Sequence, residues 1–337
     1  AYQEAFEWVN IAECDVQLLK DGTIVLVHDS SFLRVAEVSN GLESLRESKA
    51  IRSLQLSERV LEQLDLLRDS ACVEVFSNLL VDCPLLCDLW ERSALKAEAY
   101  DLLPKKTKEE IQWLLALAPT EELTFEQANR IVLKRGASVS KLEWVIELLQ
   151  EGGRHLVIEI KPADPRIVEA LFPLLSRMNA WECVSIMSFD AELMRALCSA
   201  WIAQGGPKRV GAALQTYWLV CTHQHSEVDS NRVGFLSGEN DVPALCERLR
   251  NIGVSGVYLE FNETTVTCSV IRAFVAAGFR VGIWSGRPEH ENIDTLKFLS
   301  ASGASIINTD EPVKLIQSLA KRALGDSFKA SSSEEEA

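Results

Sequence analysis

From Ser138 onward the chain alternates amphipathic helix patterns with short runs rich in valine and isoleucine, and this rhythm constrains the fold more than any other feature. KLEWVIELLQEG precedes HLVIEIK (155–161), PRIVEALFPLLSRM precedes CVSIMSF (183–189), and AELMRALCSAWIAQGG precedes RVGAALQ (209–215). After an irregular stretch at 216–240, ENDVPALCERLRNIG precedes VSGVYLEF (254–261). VTCSVIRAFVAAG then precedes RVGIWS (280–285), DTLKFLSASG precedes ASIINTD (304–310), and EPVKLIQSLAKRALG closes the fold. Near-continuous apolar strands between helices that end in glycine predict a parallel α/β sheet, buried on both faces.

One more strand lies far upstream, in IAECDVQLLKDGTIVLVHDSSFL (11–33). Residues 1–10 read as the last turns of a helix feeding it. Asp21-Gly22 between two β-prone runs is a strong hairpin signal. A two-residue turn there sets Asp15 opposite His28, and alternation puts Glu13 on the same side. Two carboxylates and an imidazole gathered at a strand end suit metal binding and acid/base work. With this strand the count is seven, one short of a (β/α)8 barrel.

Between the hairpin and Ser138 the apolar residues recur at three- and four-residue spacing, with no convincing strand. The expected organisation is therefore residues 1–36 as the N-terminal part of a barrel, 37–137 as a helical insertion, 138–325 as the rest of the barrel, and 326–337 as a disordered acidic tail. Helix starts are expected near Thr107 and Thr120. The insertion is a candidate partner-binding surface. No apolar run reaches the length of a membrane span. An excess of 49 acidic over 34 basic residues argues against non-specific binding to nucleic acid or anionic membrane. Nine scattered cysteines without C-x-x-C read as free thiols of a reducing compartment, which favours the cytoplasm, although the start of the chain gives no address. Cys83 and Cys87 at helical spacing read as packing residues, and His223-x-His225 as part of a loop.

The ordered string E-x-D, Lys-Asp-Gly, V-x-V-H-D resembles the glycerophosphodiester phosphodiesterase family, whose members are (β/α)8 barrels. Glu159 and Lys161 match the family's E-I-K strand, Ser188-Phe189-Asp190 its S-F-D, and Arg209-Val210-Gly211 its R-x-G. Residues 278–284 resemble its G-x-x-V-x-x-W strand and Thr309-Asp310-Glu311-Pro312 its T-D-x-P, in family order. The resemblance implies metal-dependent hydrolysis of glycerophosphodiesters to an alcohol and glycerol 3-phosphate. It implies Glu13, Asp15 and Glu159 as ligands of Mg2+ or Ca2+, the hard ions that all-oxygen sites prefer. It implies His28 as one member of an acid/base pair, Lys161 as a phosphate contact, and Trp284 against the glycerol part of the substrate.

The sequence departs from the family at its start. The strand ending in His-Arg-Gly and the following Glu-Asn-Thr segment are not found, and with them goes the second histidine of the pair. None of His155, His223, His225 or His290 stands in a matching place. The expectation is that residues 1–337 are a truncated form, inactive or nearly so, since acid/base catalysis contributes roughly 10²–10⁴-fold. Two rival readings remain: a phospholipase of the sphingomyelinase D type, and a non-catalytic barrel that serves as a binding or scaffold module. The acidic balance and the lack of an apolar loop lean against the first, and the retained acids, His28 and Lys161 against the second.

Overall fold

The structure is a computed structural model that describes residues 2–37, 54, 56–149, 153–161, 164–206, 214–222, 232–285 and 287–321. Nine strands lie among the described residues: β1 (Ile11–Leu18), β2 (Ile24–Leu26), β3 (His155–Ile160), β4 (Val184–Ser188), β5 (Gln215–Cys221), β6 (Gly234–Phe235), β7 (Gly256–Glu260), β8 (Arg280–Trp284) and β9 (Ile306–Ile307). Hydrogen bonds order them β2-β1-β3-β4-β5-β7-β8-β9, with β6 beside β5. The chain forms two compact units: Ala1–Cys14 with Leu148–Glu159 and Met178–Ala337, and Asp15–Glu147 with Ile160–Arg177. Of the four divisions, two fall inside β1 and β3.

In the first unit β3, β4, β5, β7, β8 and β9 pair in parallel, through registers such as Ile158↔Ile186, Met187↔Tyr217, Tyr217↔Gly256, Val257↔Val281 and Ile283↔Ile307. Helices Ala191–Ala203, Val242–Ile252, Cys268–Ala276 and Ile293–Ser302 connect successive strands, each close to its expected place. Their apolar stripes, including Met194, Leu245, Leu249 and Phe274, bury against one side-chain row of the strands, Trp218, Val220, Val257 and Val281. The alternate row packs on itself: Val157, Met187, Tyr217, Leu219, Tyr258 and Ile306, with Phe189 and Trp284 at its margin. Two glycines make room for its rings. A Cβ on Gly256 would stand 2.7 Å from the Tyr217 ring, and one on Gly282 would stand 2.2 Å from the Tyr258 ring.

The expected strand at 209–215 is described only at its last two residues. Residues 209–213 and the Arg209-Val210-Gly211 match lie outside the described residues, and the strand is Gln215–Cys221, inside the stretch read as irregular. Its Thr, Tyr, Trp, Leu and Val side chains are buried on both faces, so no polar alternation marks it in the sequence. His223 and His225 also lie outside the described residues, as do 38–53 and 322–337.

The second unit begins with the hairpin, whose register differs from expectation. Val16 pairs with Leu26, Gln17 with Val25 and Leu18 with Ile24. Leu19 N–H donates to Thr23 O at 2.9 Å and Gly22 N–H to Leu19 O at 3.0 Å, so the loop has three residues, Lys20-Asp21-Gly22. Gly22 sits at φ +82°, the left-handed position that closes such a loop with a bulge. Asp21 fastens it from outside by accepting from Phe125 N at 2.8 Å. Asp15 therefore lies opposite Val27, whose N–H donates to Asp15 O at 3.2 Å, and His28 stands beyond the end of β2.

Among the described residues of this unit, helices Glu58–Ser70, Val73–Asp82, Pro84–Ser93 and Lys105–Leu117 bury Leu64, Leu67, Phe76, Leu79, Leu86 and Leu114 in one core. The helix expected to start at Thr107 starts at Lys105. Thr120–Glu122 is a single 3-10 turn, and the capping box falls instead on Thr124 and Gln127. Arg130 closes the core from one side. Its guanidinium donates to Ser93 O and Leu95 O, pairs with Glu126 at 2.8 Å and lies 4.2 Å over the Tyr100 ring. No helix among the described residues is long and apolar enough to cross a membrane.

Candidate active site

β1 positions the first acids. Cys14 and Val16 are buried on one side of the strand, while Glu13 and Asp15 share the other. His155 N–H donates to Asn10 O at 2.8 Å and Lys161 N–H to Val16 O at 3.2 Å, which sets β3 beside β1. Glu159 and Lys161 follow at alternate positions on the row begun by Val157. Glu13, Asp15 and Glu159 each offer a carboxylate oxygen, and these atoms lie within 4.8 Å of one another. Glu159 is buried, and the other two are half-buried.

The acids leave a mark on Tyr258. Burial first, and then the charges of Glu13 and Glu159, push its phenol well above the ordinary range, so it stays protonated and donates to Asn308 Oδ1. In the second unit Lys161 Nζ lies 2.9 Å from Asp15 Oδ1. A cavity of about 410 Å³ is lined by Gln17, Ser30, Thr120, Glu121, Lys161 and Asp164.

His28 is not opposite Asp15 in a paired strand. Its ring is 57% exposed and its Nδ1 lies 2.7 Å from Asp29 Oδ1. Asp29 also accepts from Arg34 Nε and Nη2, at 2.5 and 3.1 Å. Burial raises the Asp29 carboxyl, but the hydrogen bonds from Arg34 and His28 outweigh it and hold the group below its ordinary range. Gln17, itself buried, donates to Asp29 O at 3.2 Å and so fixes the backbone behind the histidine. Sequence reasoning missed Asp29 and Arg34 as partners of His28, although H-D was in the motif.

Trp284 ends β8 with its ring edge-on to Phe189, centroids 6.1 Å apart. The Asp of S-F-D serves the fold: Asp190 caps helix Ala191–Ala203 by accepting from Glu192 N and Leu193 N, and it pairs with Arg232. Thr309 Oγ1 and Asp310 N in the T-D-x-P match both donate to Glu291. Glu260, at the end of β7, had no signal in the sequence beyond its place at a strand end.

The profile of the Glycerophosphoryl diester phosphodiesterase family matches residues 1–314. Comparison with curated protein sequences finds no match. Among solved structures, the chain is similar to a protein from Galdieria sulphuraria assigned to the glycerophosphodiester phosphodiesterases, at 13% identity and TM-score 0.55, with 94% of this chain and 88% of that one covered. A glycerophosphodiester phosphodiesterase from Agrobacterium tumefaciens str. C58 aligns at 13% identity and TM-score 0.50, over 92% and 88% of the two chains. A glycerophosphoryl diester phosphodiesterase from Parabacteroides distasonis ATCC 8503 aligns at 14% and 0.51, over 95% and 79%. At these identities the likeness is one of fold, the α/β TIM-barrel class.

Proposed function

Because the chain belongs to the glycerophosphoryl diester phosphodiesterase family, we propose that it hydrolyses glycerophosphodiesters with a divalent cation, releasing an alcohol and glycerol 3-phosphate. The observation that carries this reading is the cluster of Glu13, Asp15 and Glu159. Three carboxylates this close repel one another, and hard oxygen donors suit Mg2+ or Ca2+. The donor set therefore fits the group that the family generally requires. When bound there, the cation supplies Lewis acidity toward a phosphoryl oxygen.

The chain's own residues do the rest. Lys161 meets a second phosphoryl oxygen as a point charge, with Asp15 holding the ammonium in place. His28 exchanges a proton at Nε2, since Nδ1 is committed to Asp29, whose carboxylate holds the ring in place. Trp284 offers an apolar ring to the carbon chain of the glycerol.

The test is release of glycerol 3-phosphate from glycerophosphocholine with Mg2+, with Ca2+ and with EDTA, beside thermal unfolding under the same conditions. Expected are turnover with one cation, loss of turnover in EDTA, and a cation-induced rise in Tm that Glu159→Gln removes. A saturating cation at about 100 times its Kd adds about 2.7 kcal/mol to stability. Undiminished turnover in EDTA overturns the metal role. Folded protein that turns over no glycerophosphodiester overturns the reading as a whole.

A further inference from the structure

His28 stands in a stretch that follows β2 as a series of bends, and its ring is more than half exposed. Packing alone does not fix where such a ring points. An acid/base group is useful only when its reach is held to within about 0.5 Å. The backbone supplies what packing does not. Val27 N–H donates to Asp15 O at 3.2 Å. Gln17 Nε2 donates to Asp29 O at 3.2 Å and reaches His28 O at 3.5 Å. Thr120 donates twice to Ser30 O, from its N at 2.8 Å and from its Oγ1 at 2.9 Å. Three successive carbonyls are thus met by two residues that are themselves buried, Gln17 at 8% and Thr120 at 2% exposure.

A clamp must itself be rigid, and both residues are. Gln17 pairs with Val25 inside the hairpin. Thr120 opens the 3-10 turn Thr120–Glu122, which lies 90 positions from Ser30 in the chain and is tied to the hairpin at further points. Lys20 N–H donates to Leu123 O at 2.8 Å, Lys20 Nζ lies 3.1 Å from Glu122 Oε2, and Phe125 N–H donates to Asp21 Oδ2 at 2.8 Å. On its other side the turn follows the buried end of helix Lys105–Leu117. Packing of the helices does not call for a second donor on a carbonyl that Thr120 N–H already satisfies. With both lone pairs of Ser30 O engaged, that carbonyl is fixed in two directions. Gln17, Ser30 and Thr120 also line the cavity of about 410 Å³ that Lys161 lines, so the held segment forms part of its wall.

We propose that Thr120 and Gln17 are positioning residues for His28, fixing the backbone of residues 28–30 and with it the reach of the imidazole. The inference rests on the phosphodiesterase reading and deepens it. Neither residue touches the reacting atoms. Each acts through the backbone, and Asp29 then orients the ring, with Nδ1 2.7 Å from its Oδ1. The segment between the hairpin and β3 thereby contributes to catalysis through a single threonine.

The test uses Thr120→Val, which removes the hydroxyl and keeps the shape, Thr120→Ser, which restores it, and Gln17→Met. Thermal unfolding checks that each is folded. Steady-state kinetics on glycerophosphocholine are read beside the ring 15N–1H NMR correlations of His28, assigned by their loss in His28→Gln. Expected in Thr120→Val and Gln17→Met is a fall in kcat on the order of 10-fold with KM held within about twofold, and recovery in Thr120→Ser. The His28 ring signals move toward those of Asp29→Asn in the same two variants. A purely structural role lowers Tm and leaves kcat and the ring signals of the folded protein where they were. That result overturns the inference while the phosphodiesterase reading stands. Either substitution decides alone, so failure of one to fold leaves the other as the test. Wild-type protein that is folded and turns over no glycerophosphodiester overturns both.

Discussion

Lys161 Nζ lies 2.9 Å from Asp15 Oδ1, with the two side chains only 16% and 24% exposed. The ammonium is therefore held at an acidic strand end. Lys161→Met is expected to lower kcat/KM roughly 10²–10³-fold, the scale of losing one electrostatic stabiliser. Lys161→Arg recovers only part of it, because a planar fork does not replace a compact charge. Steady-state kinetics of both variants on glycerophosphocholine decide this. A Lys161→Met variant within about threefold of wild type would remove the lysine from phosphate binding.

Asp29 is held below its ordinary range by Arg34 and His28 against the effect of burial. A depressed carboxyl contributes stability above its unfolded value of about 3.9, and that contribution is lost as pH falls through the lower folded value. Asp29→Asn is expected to cost about 0.5–1 kcal/mol at pH 7, in keeping with a partly exposed pair, with the difference from wild type closing in strong acid. It is also expected to lower kcat by releasing the His28 ring. Urea midpoints across pH, together with a pH–rate profile, read both effects.

His155 reports on the opposite end of the strands. Its Nε2 is 2.7 Å from Ser185 Oγ, and burial, reinforced by Arg280, lowers its pKa. An unfolded chain takes up a proton below about pH 6.5 that the folded protein resists, so stability is full above that value and is lost as pH falls through the window beneath it. His155→Gln is expected to make the decline in urea midpoint between pH 7 and pH 5 shallower. An unchanged slope would show that His155 protonates equally well in both states.

Arg130 joins two backbone carbonyls, one carboxylate and one aromatic face in the helical unit, with a side chain only 9% exposed. Its removal strands Ser93 O and Leu95 O. Arg130→Ala is expected to cost about 2–4 kcal/mol, with Arg130→Lys intermediate, measured as a fall in urea midpoint at constant m-value.

Much of this architecture is written locally. Helices such as Val242–Ile252 and Cys268–Ala276 announce themselves by apolar period and end near glycine, and β3, β7 and β8 by their valine and isoleucine. Glu13 with Asp15 and Glu159 with Lys161 share faces because two-residue spacing in a strand leaves no other choice. What escaped was decided by long-range contacts. β5 carries Tyr217 and Trp218 back to back, one toward the inner row and one toward the helices, and only tertiary packing tells such a stretch from a loop. Asp21 bonds to Phe125, over a hundred positions away, and no local rule counts that when choosing between two- and three-residue turns.

The Lys20-Asp21-Gly22 loop looks like the most permissive place on the hairpin, an exposed polar tip with nothing to bury. Its length is nonetheless the quantity that natural variation can least afford to change. One residue inserted or deleted there would slip β2 by one position, exchange its inward and outward side chains, and carry the His28-Asp29-Arg34 array with it. Homologous chains should therefore vary freely in composition at Lys20, keep glycine or asparagine where Gly22 stands, and almost never differ in the number of residues between Leu19 and Thr23. A gap at this loop in an aligned sequence would mark a protein whose chemistry has moved on.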